Sequence, residues 1–460
     1  MEFDKGSFRD PAGKIFYHEN EVFRYVDKNF NNRLNFILEN DLLNILYSKG
    51  LLIKTECIST NKFNNFFNKD DVTILKHEKI PYISYPYEWC FSQLKAAAIH
   101  HLDLHLFLLE KNATLIDASA YNIQFIGSKP VFIDVLSIKP YQEGEFWFAH
   151  KQFCENFLNP LILYAKKKIK FNNWFKGNLE GVYTEDLNNI LSFFDKFSYT
   201  IFTHVYLMNK FNNKFKKQES EFKVKNKNKL SKKSFVFLLK QLRNFILSLK
   251  PKKNISIWEN YSTMNTYNKI EENNKKKIVE EFIKRNHLPK IIDLGCNDGV
   301  YSKIATNNNN NYVVGFDFDD NSIDRSFCEL NSNQKNFLPL ILDASNPSSN
   351  IGWNENERKS FKSRAKFDGL LALAFEHHLC IAKNIPLEET IKWMSSIAPK
   401  GLIEFVPKND STVQKMLSLK GDIFPNYSEN HFFNLLSKFS KVISVNQITD
   451  TGRKIYEYKI

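Results

Sequence analysis

The residues most able to do chemistry lie in one stretch, KIIDLGCNDGVYSKIATNNNNNYVVGFDFDD, which covers residues 290–320. The stretch is typical of a strand, a glycine turn, a helix and a second strand, and Asp293 ends the first strand. The turn contains Gly295 and Gly299, but Asn297 stands where a dinucleotide-binding turn has its second glycine. Because a strand-end carboxylate would repel a pyrophosphate, the turn favours an adenosine-containing ligand that carries positive charge.

This turn resembles the first motif of the class I S-adenosylmethionine-dependent methyltransferases, in which the strand-end acid orients the methionine ammonium of the cofactor. Asp317, at the end of VVGFD, matches the acid that binds both ribose hydroxyls, and Asp343, in LILDA, matches the acceptor for the adenine amine. The resemblance therefore implies S-adenosyl-L-methionine as the cofactor. The residues that would bind it are Asp293, Gly295, Cys296, Asn297, Gly299, Asp317, Asp343 and Ala344.

Aromatic residues before the first strand cover the cofactor in related enzymes. In this chain that segment is IWENYSTMNTYNKIEENNKKKIVEEFI, and the candidates are Tyr261 and Tyr267. The alternative is that both tyrosines pack along an ordinary helix.

From residue 258 onward, strand-like and helical segments alternate, which predicts an α/β domain with a Rossmann-like, seven-stranded sheet. Five strands would be parallel, and the last two, joined only by TDTG, would form an antiparallel edge hairpin that also resembles the methyltransferase sheet. The predicted strands are Lys290–Leu294, Tyr312–Phe316, Leu338–Leu342, Phe367–Ala374, Gly401–Val406, Lys441–Ile448 and Lys454–Lys459.

The fourth of these strands ends in LALAFEHHLC, which places Glu376, His377 and His378 at the carboxyl edge, where ligands bind in open α/β sheets. Methyl transfer is an in-line displacement for which an enzyme supplies positioning and, for a hydroxyl or amine acceptor, a base. Histidine can accept a proton near neutral pH. We therefore take these three residues as the catalytic candidates, with a structural role for the histidines as the alternative.

The fifth strand brings Glu404, Lys408 and Asp410 to the same edge, where we expect them to shape an acceptor pocket. Amino-methylating members of the family often carry an N/D-P-P-Y/F tetrapeptide after strand four. The tetrapeptide is absent from this sequence, which argues against methylation of a base or an amide.

The first half of the chain holds a second pattern, IDASAYN followed by FIDVLS. Asp117, Asn122 and Asp134 resemble the catalytic and metal-binding loops of protein-kinase-like phosphotransferases, which implies an α+β kinase-like domain and a magnesium site. The sequence departs from that family, since Leu115-Ile116 replaces His-Arg, Val135-Leu136 replaces Phe-Gly, and no glycine-rich loop is present. The magnesium site is therefore expected to be degenerate. The alternative is a recognition domain whose acids cap turns.

The composition predicts three segments along the chain. Residues 1–208 would form the α+β domain, residues 209–255 a Lys-rich linker with a connecting helix, and residues 256–460 the methyltransferase domain. The formal charge is +13, but lysine and asparagine are abundant almost everywhere, which is typical of a compositional bias. Only weak, non-specific binding to nucleic acid is expected from the linker.

Cysteine usage and hydropathy indicate the compartment. The six cysteines form no C-x-x-C pair, so neither a zinc site nor a disulfide framework is expected. The acidic N-terminus does not resemble a secretory signal, and no run of eighteen apolar residues occurs. These features predict a cytoplasmic protein without a transmembrane segment.

Together these patterns predict an enzyme, a methyltransferase whose first domain selects or presents an unidentified methyl acceptor. A glycan or a small molecule is favoured, since the whole chain resembles bacterial methyltransferase-like proteins of nodulation and surface-polysaccharide systems. Three different functions stay open: an RNA or protein methyltransferase that uses the basic linker, a non-catalytic cofactor-binding scaffold, and a bifunctional kinase-methyltransferase. No motif indicates an oligomeric state.

Overall fold

The structure, a computed structural model, describes residues 1–63, 65–67, 72–210, 229–251, 267–306, 311–331 and 334–460. The chain divides into two compact units. The N-terminal unit contains the described residues of Met1–Phe125, Pro130–Lys253 and Ile351–Arg358. The C-terminal unit contains Ile126–Lys129, the described residues of 254–350, and Lys359–Ile460.

The N-terminal unit begins with a five-stranded antiparallel sheet in the order β1-β2-β3-β5-β4. Its strands are β1 (Glu2–Phe3), β2 (Gly13–His18), β3 (Glu21–Asp27), β4 (Thr55–Ile58) and β5 (Val72–His77). Glu19 and Asn20 both have positive φ, which is the backbone of a two-residue turn that matches the twist of a hairpin. Helices α1 (Asn31–Glu39) and α2 (Leu42–Ser48) lie between β3 and β4 in the chain.

The long helix α3 (Phe91–Glu110) follows, because leucine and alanine recur at helical spacing and twelve of its residues are buried. After it come β6 (Ala113–Leu115), the strand pair β7 (Ile123–Ile126) and β8 (Lys129–Phe132), and β9 (Ile138–Pro140), which pairs with β6. The remaining helices are α4 (His150–Phe153), α5 (Asn159–Lys167), α6 (Asn172–Gly177), α7 (Thr184–Ile190), α8 (Tyr199–Ile201) and α9 (Lys232–Ser248).

The predicted connecting helix corresponds to α9, but it is a part of the N-terminal unit. Its apolar face, which includes Phe235 and Leu239, is buried, and the helix packs against α3. Arg243 reinforces the packing by donating to both carboxylate oxygens of Asp103, at 2.5 and 3.1 Å. The N-terminal unit therefore extends beyond the predicted boundary at residue 208, because an amphipathic helix buries its apolar face against a complementary surface. Residues 211–228 of the predicted linker lie outside the described residues.

The C-terminal unit contains a seven-stranded sheet in the order β12-β11-β10-β13-β14-β16-β15. The strands are β10 (Lys290–Leu294), β11 (Tyr312–Asp317), β12 (Phe337–Ile341), β13 (Gly369–Ala372), β14 (Lys400–Phe405), β15 (Lys441–Gln447) and β16 (Lys454–Lys459). The inner strands are buried along almost their whole length, as expected of parallel strands with helices on both faces. β16 is antiparallel to β14 and to β15, and the edge strand β15 alternates between exposed and half-buried residues. The predicted mixed α/β class is confirmed.

Helices connect the strands: α10 (Lys269–Arg285), α11 (Val300–Ala305), α12 (Asp320–Glu329), α13 (Phe361–Arg364), α14 (Leu387–Ile397), α15 (Ser411–Lys420) and α16 (Glu429–Phe439). α10 begins with a capping box in which Asn268 and Glu271 satisfy each other's backbone N–H groups. Its buried face, Val279, Phe282 and Ile283, joins the core that covers β10. Among the described helices, none combines the length and apolar character needed to cross a bilayer.

Candidate active site

The glycine turn between β10 and α11 needs its glycines for two physical reasons. Gly295 and Gly299 have φ of 75° and 82°, in the left-handed region that side chains disfavour. A Cβ added at Gly295 would lie 2.9 Å from the ring of Phe375, and one at Gly299 would lie 2.8 Å from the ring of Phe337. Asn297 also has positive φ, at 50°, which asparagine tolerates better than most residues. The backbone of the turn is therefore tightly specified.

Asp293, at the carboxyl end of β10, is a buried carboxylate with one hydroxyl partner. It is 3% exposed, and Ser302 Oγ donates to its Oδ2 at 2.6 Å. Burial raises the pKa of Asp293 to about 6, and the hydrogen bond from Ser302 and the positive charge of Lys275 only partly oppose this rise. A cationic ligand group would therefore be stabilised beside it.

Asp317, at the end of β11, links the glycine turn to the second strand. Its Oδ2 accepts from the N–H of Asn297 and its Oδ1 from the N–H of Asp319, both at 2.9 Å. Burial raises the pKa of Asp317 to about 6. The backbone N–H of Phe318 is a third donor to this carboxylate. Since each carboxylate oxygen can accept two hydrogen bonds, the carboxylate still has capacity for a further donor such as a ribose hydroxyl.

The other predicted cofactor residues lie around the same turn. Cys296 is buried beneath it, and a Cβ at Gly315 would lie 2.9 Å from its Sγ. Asp343 follows β12 and accepts from both the N–H and the hydroxyl of Ser345, at 3.0 and 2.6 Å, while Ala344 is half-buried. Tyr261 lies outside the described residues. These residues fit S-adenosyl-L-methionine. The buried carboxylates of Asp293 and Asp317, whose charges are only partly balanced, would face its ammonium and its ribose hydroxyls.

Tyr267 has contacts that the sequence did not predict. Its hydroxyl donates to Glu404 Oε1 at 2.5 Å and accepts from Arg453 Nη1 at 2.5 Å. Lys275 Nζ and the Arg453 guanidinium lie 4.6 and 4.7 Å from the centroid of the Tyr267 ring. The tyrosine is therefore fixed in a buried polar network, which we call the strand-end network.

The strand-end network consists of Tyr267, Lys275, Glu404, Asp410 and Arg453. Lys275 Nζ lies 2.7 Å from Glu404 Oε2, and Arg453 donates to both oxygens of Asp410, at 2.8 and 3.0 Å. The four charged residues are at most 3% exposed, and two cations balance two anions. Pairing of this kind is what allows charges to remain buried. Lys408, which was expected in the same pocket, instead pairs with the exposed Asp422.

Glu376 lies just past β13 and is completely buried. Its Oε1 accepts from the N–H of Val406 at 3.0 Å, and Tyr427 Oη lies 2.9 and 3.1 Å from its two oxygens. Burial raises the pKa of Glu376 to about 8. Tyr427 also donates to the carbonyl of Val406 at 2.7 Å, so a protonated Glu376 can donate to the Tyr427 oxygen and close a small ring of hydrogen bonds.

The two histidines that follow differ in exposure. His377 is fully buried, and neither ring nitrogen has a hydrogen-bond partner among the described residues. His378 is half-buried, and the two ring centroids are 4.2 Å apart. Burial lowers the pKa of His378 to about 4 and that of His377 well below its usual range, and the charge of Arg453 lowers both further. Both rings are therefore neutral at pH 7 and can accept a proton, but the lowered pKa makes each a weaker base than an ordinary histidine.

These features lie together at the carboxyl edge of the sheet. The positive charge of Lys275 lowers the pKa of both Asp293 and His377. The positive charge of Arg453 lowers the pKa of Glu376. The glycine turn, the strand-end network and the Glu-His-His cluster therefore share one electrostatic environment. Sequence reasoning missed Lys275 and Arg453, because each stands in a polar stretch, NNKKK and TDTGRK, that is typical of an exposed segment.

The kinase-like residues of the N-terminal unit also come together. Asn122 Nδ2 donates to Asp117 Oδ2 at 3.2 Å, and burial and the charge of Asp134 raise the pKa of Asp117. Arg24, from β3, donates to Asp134 Oδ1 at 2.7 Å and also contacts Asp10. Arg24 is 5% exposed, and its charge stands beside the carboxylate that a magnesium ion would need. Sequence reasoning missed it, although a charge within the alternating strand EVFRYVD is a usable signal.

The comparison with curated proteins identifies the family. The chain is 41% identical over 459 residues to nodulation protein NoeA of Rhizobium meliloti (strain 1021), and the match covers 99% of this chain and 95% of that protein. The chain belongs to the NoeA family. No protein-family model matches it.

Three solved structures illustrate what this NoeA-family chain is similar to in fold. The N-methyltransferase NodS from Bradyrhizobium japonicum WM9, in complex with S-adenosyl-l-homocysteine, is 10% identical with a TM-score of 0.32, over 44% of this chain and 92% of NodS. The methyltransferase domain of bacterial CtHen1 is 12% identical with a TM-score of 0.30, over 41% of this chain and 100% of that domain. WbdD is 14% identical with a TM-score of 0.30, over 47% of this chain and 46% of WbdD.

Proposed function

We propose that the chain is an S-adenosyl-L-methionine-dependent methyltransferase whose acceptor is a glycan or a small molecule. The observation that supports the proposal is the pair of buried strand-end carboxylates, Asp293 and Asp317, on either side of a tightly specified glycine turn. A dinucleotide would bring a pyrophosphate to the glycine turn beside Asp293, whereas this cofactor brings an ammonium there. Asp317 would bind a ribose in either case, so Asp293 is the acid that favours S-adenosyl-L-methionine.

In this proposal the residues of the chain have separate tasks. Asp293 orients the ammonium, Asp317 accepts hydrogen bonds from the ribose hydroxyls, and Asp343 accepts from the adenine amine. The bound cofactor supplies an electrophilic methyl group on its sulfonium. His378 accepts the proton of a hydroxyl or amine acceptor, because its ring is neutral and, unlike that of His377, is not fully buried. His377 and Glu376 are fully buried, so we assign them to positioning His378.

Binding of the cofactor tests the proposal directly. Asp317→Ala should weaken the binding of S-adenosyl-L-methionine at least about thirtyfold, because two charge-assisted hydrogen bonds of roughly 1.5–3 kcal/mol each are lost. Isothermal titration calorimetry would measure the dissociation constant, and circular dichroism would check that the fold survives. The matched control is Asp422→Ala, which removes an aspartate whose partner is Lys408 and should leave the constant unchanged.

Two outcomes of the titration would contradict the proposal. One is an unchanged dissociation constant in Asp317→Ala, and the other is tight binding of NADH with none of S-adenosyl-L-methionine.

The pH dependence of cofactor binding gives a second readout. Since the pKa values of Asp293 and Asp317 are both about 6, binding should weaken as the pH falls from 7 to 5 and both acids gain protons. In Asp317→Ala the dissociation constant should depend less steeply on pH, because one of the two titrating acids is gone.

For the N-terminal unit we propose a kinase-like fold that selects or presents the acceptor and does not transfer phosphate. The supporting observations are the Asp117–Asn122 contact and the order of β6, the β7–β8 pair and β9 around them. The Arg24 guanidinium beside Asp134 opposes magnesium binding. We expect weak ATP binding or none, by calorimetry with Mg²⁺. ATP hydrolysis that Asp134→Asn abolishes would instead support a bifunctional kinase-methyltransferase.

Simple assays separate a glycan or small-molecule methyltransferase from a scaffold and from an RNA or protein methyltransferase. Formation of S-adenosylhomocysteine with glycan or metabolite fractions would exclude a non-catalytic scaffold. If the acceptor is RNA, binding should fall steeply with salt, and removal of the basic residues 214–228 should abolish it while cofactor binding remains. Comparable turnover with RNA or protein fractions alone would overturn the preference for a glycan or small molecule. We propose a cytoplasmic location, supported by the observation that none of the six cysteines, all of them among the described residues, forms a disulfide.

A further inference from the structure

Three side chains with metal-ligating atoms converge in the N-terminal unit, and none of them has been assigned a role above. They are His150, Cys154 and His204, and their ligand atoms all lie within 4.8 Å of one another. His150 Nε2 lies 2.9 Å from His204 Nδ1 and 3.7 Å from Cys154 Sγ. A tetrahedral zinc ion, with bonds of about 2.0–2.1 Å to nitrogen and about 2.3 Å to sulfur, separates such ligand atoms by roughly 3.3–3.6 Å. Shifts below about 1 Å would therefore accommodate the ion.

The local backbone gives this cluster an unusual setting. His150 begins α4, which continues at Cys154 into a π-helical turn, Cys154–Leu158. His204 lies in a second π-helical turn, Phe202–Leu207, which continues α8. π-helical turns are rare and are found frequently at functional sites. Both of the elements that carry the cluster have one.

The surroundings favour neutral imidazoles and exclude most water. Cys154 is fully buried, His204 is 7% exposed, and the ring of Trp147 lies 5.4 Å from that of His150. Burial lowers the pKa of His150 to about 3 and that of His204 to about 4, so both rings are neutral at neutral pH. One of the two facing nitrogens carries the N–H of their hydrogen bond, and this proton must move to the other nitrogen of its ring when a metal ion binds. Burial also raises the pKa of the Cys154 thiol, which keeps it protonated until a cation replaces the proton.

We propose that His150, Cys154 and His204 bind one zinc ion, which links the helical segment after Ala149 to the segment at residues 199–207. A site of one thiolate and two imidazoles binds zinc in preference to magnesium or calcium, which prefer oxygen ligands. His150 is not fully buried, so a water molecule could reach the ion and complete the coordination. The ion would cross-link two segments that are distant in sequence and would stabilise the N-terminal unit by binding only its folded form. The expectation of no zinc site relied on C-x-x-C spacing, which this arrangement does not use.

The full-length chain, freed of metal with a chelator and titrated with Co²⁺, provides the test. We expect one equivalent to bind, with a thiolate-to-cobalt absorption band that stoichiometric Zn²⁺ removes. Cys154→Ser should abolish the band, and His204→Asn should weaken Co²⁺ binding at least about tenfold. The matched controls are Cys57→Ser, which removes an exposed thiol of the same unit, and His18→Asn, and both should behave as the unaltered chain.

A further measurement uses only the unaltered chain, so it remains valid if the variants fail to fold. The thermal midpoint of the unaltered chain should rise with Zn²⁺ in a buffer that sets the free-ion concentration, and Mg²⁺ at the same concentration should not raise it. The proposal would be overturned by a cobalt band that persists in Cys154→Ser. It would also be overturned if no band formed and the midpoint did not respond to zinc, which would leave a hydrogen-bonded thiol-imidazole cluster.

Discussion

Replacement of His378 by asparagine is expected to lower the turnover of methyl transfer by about 10²–10⁴-fold, the usual contribution of a positioned general base. Asparagine occupies a similar volume but cannot accept a proton from the acceptor. The dissociation constant for S-adenosyl-L-methionine should change little, because the proposed cofactor residues lie at the ends of β10, β11 and β12 and in the turns that follow them. Release of labelled S-adenosylhomocysteine under saturating acceptor would measure the rate.

The matched control for this prediction is His287→Asn. His287 is exposed and stands just before β10, at the amino edge of the sheet, so its loss should not affect the rate. Added imidazole should restore part of the activity of His378→Asn if the lost function is proton transfer, and it would not correct a packing defect. A wild-type rate in His378→Asn would refute the assignment of the base. A large loss in His377→Asn alone would transfer the role to His377.

Arg453→Met is expected to lower the free energy of unfolding by about 3–5 kcal/mol, the cost of leaving a buried partner charge uncompensated. Arg453 is fully buried and donates to both oxygens of Asp410, which is itself 3% exposed. Methionine fills much of the volume but cannot neutralise Asp410 or donate to the hydroxyl of Tyr267. Denaturant unfolding followed by circular dichroism would measure the loss, with the C-terminal unit monitored separately if the two units unfold in separate steps.

Lys438→Met is the control for the buried arginine. Lys438 pairs with Glu388 at 2.7 Å, but both side chains are largely exposed, so the expected change is no more than about 1 kcal/mol. The double variant Arg453→Met with Asp410→Leu should recover part of the lost stability, since both buried charges are then removed together. Equal losses in Lys438→Met and Arg453→Met would show that the strand-end network does not carry the stability assigned to it.

The local sequence pattern was sufficient to predict the strands and the turn that position the proposed cofactor residues. β10 and β16 have the predicted bounds, and the other five strands of the sheet differ from prediction only at their ends. The reason is that a parallel sheet requires continuous apolar strands, and the turn after β10 requires glycine wherever a side chain would collide or φ is positive. Both requirements concern residues that are neighbours in the sequence, so they can be recognised without the tertiary structure.

The boundary of the N-terminal unit could not be predicted in the same way. The amphipathic pattern of α9 shows that the helix has an apolar face but does not show which surface covers it. That surface is α3, and the contact depends on pairs such as Arg243 with Asp103, which are remote from each other in the sequence. The composition shift at residue 209 therefore lies inside the N-terminal unit, which continues through α9.

The sequence by itself determined the glycine turn, the acids that end β10 and β11, the alternation of strands and helices, and the catalytic candidates at the end of β13. Only the tertiary structure decided that Lys275 and Arg453 are buried partners of Glu404 and Asp410, that Arg24 stands beside Asp134, and that His204 joins His150 and Cys154. The physical reason is that secondary structure follows from the periodicity of nearby side chains, whereas the partner of a buried charge or a ligand atom is fixed by packing between distant segments. A lysine within KKK or an arginine within TDTGRK has the same local signal whether it faces water or a carboxylate.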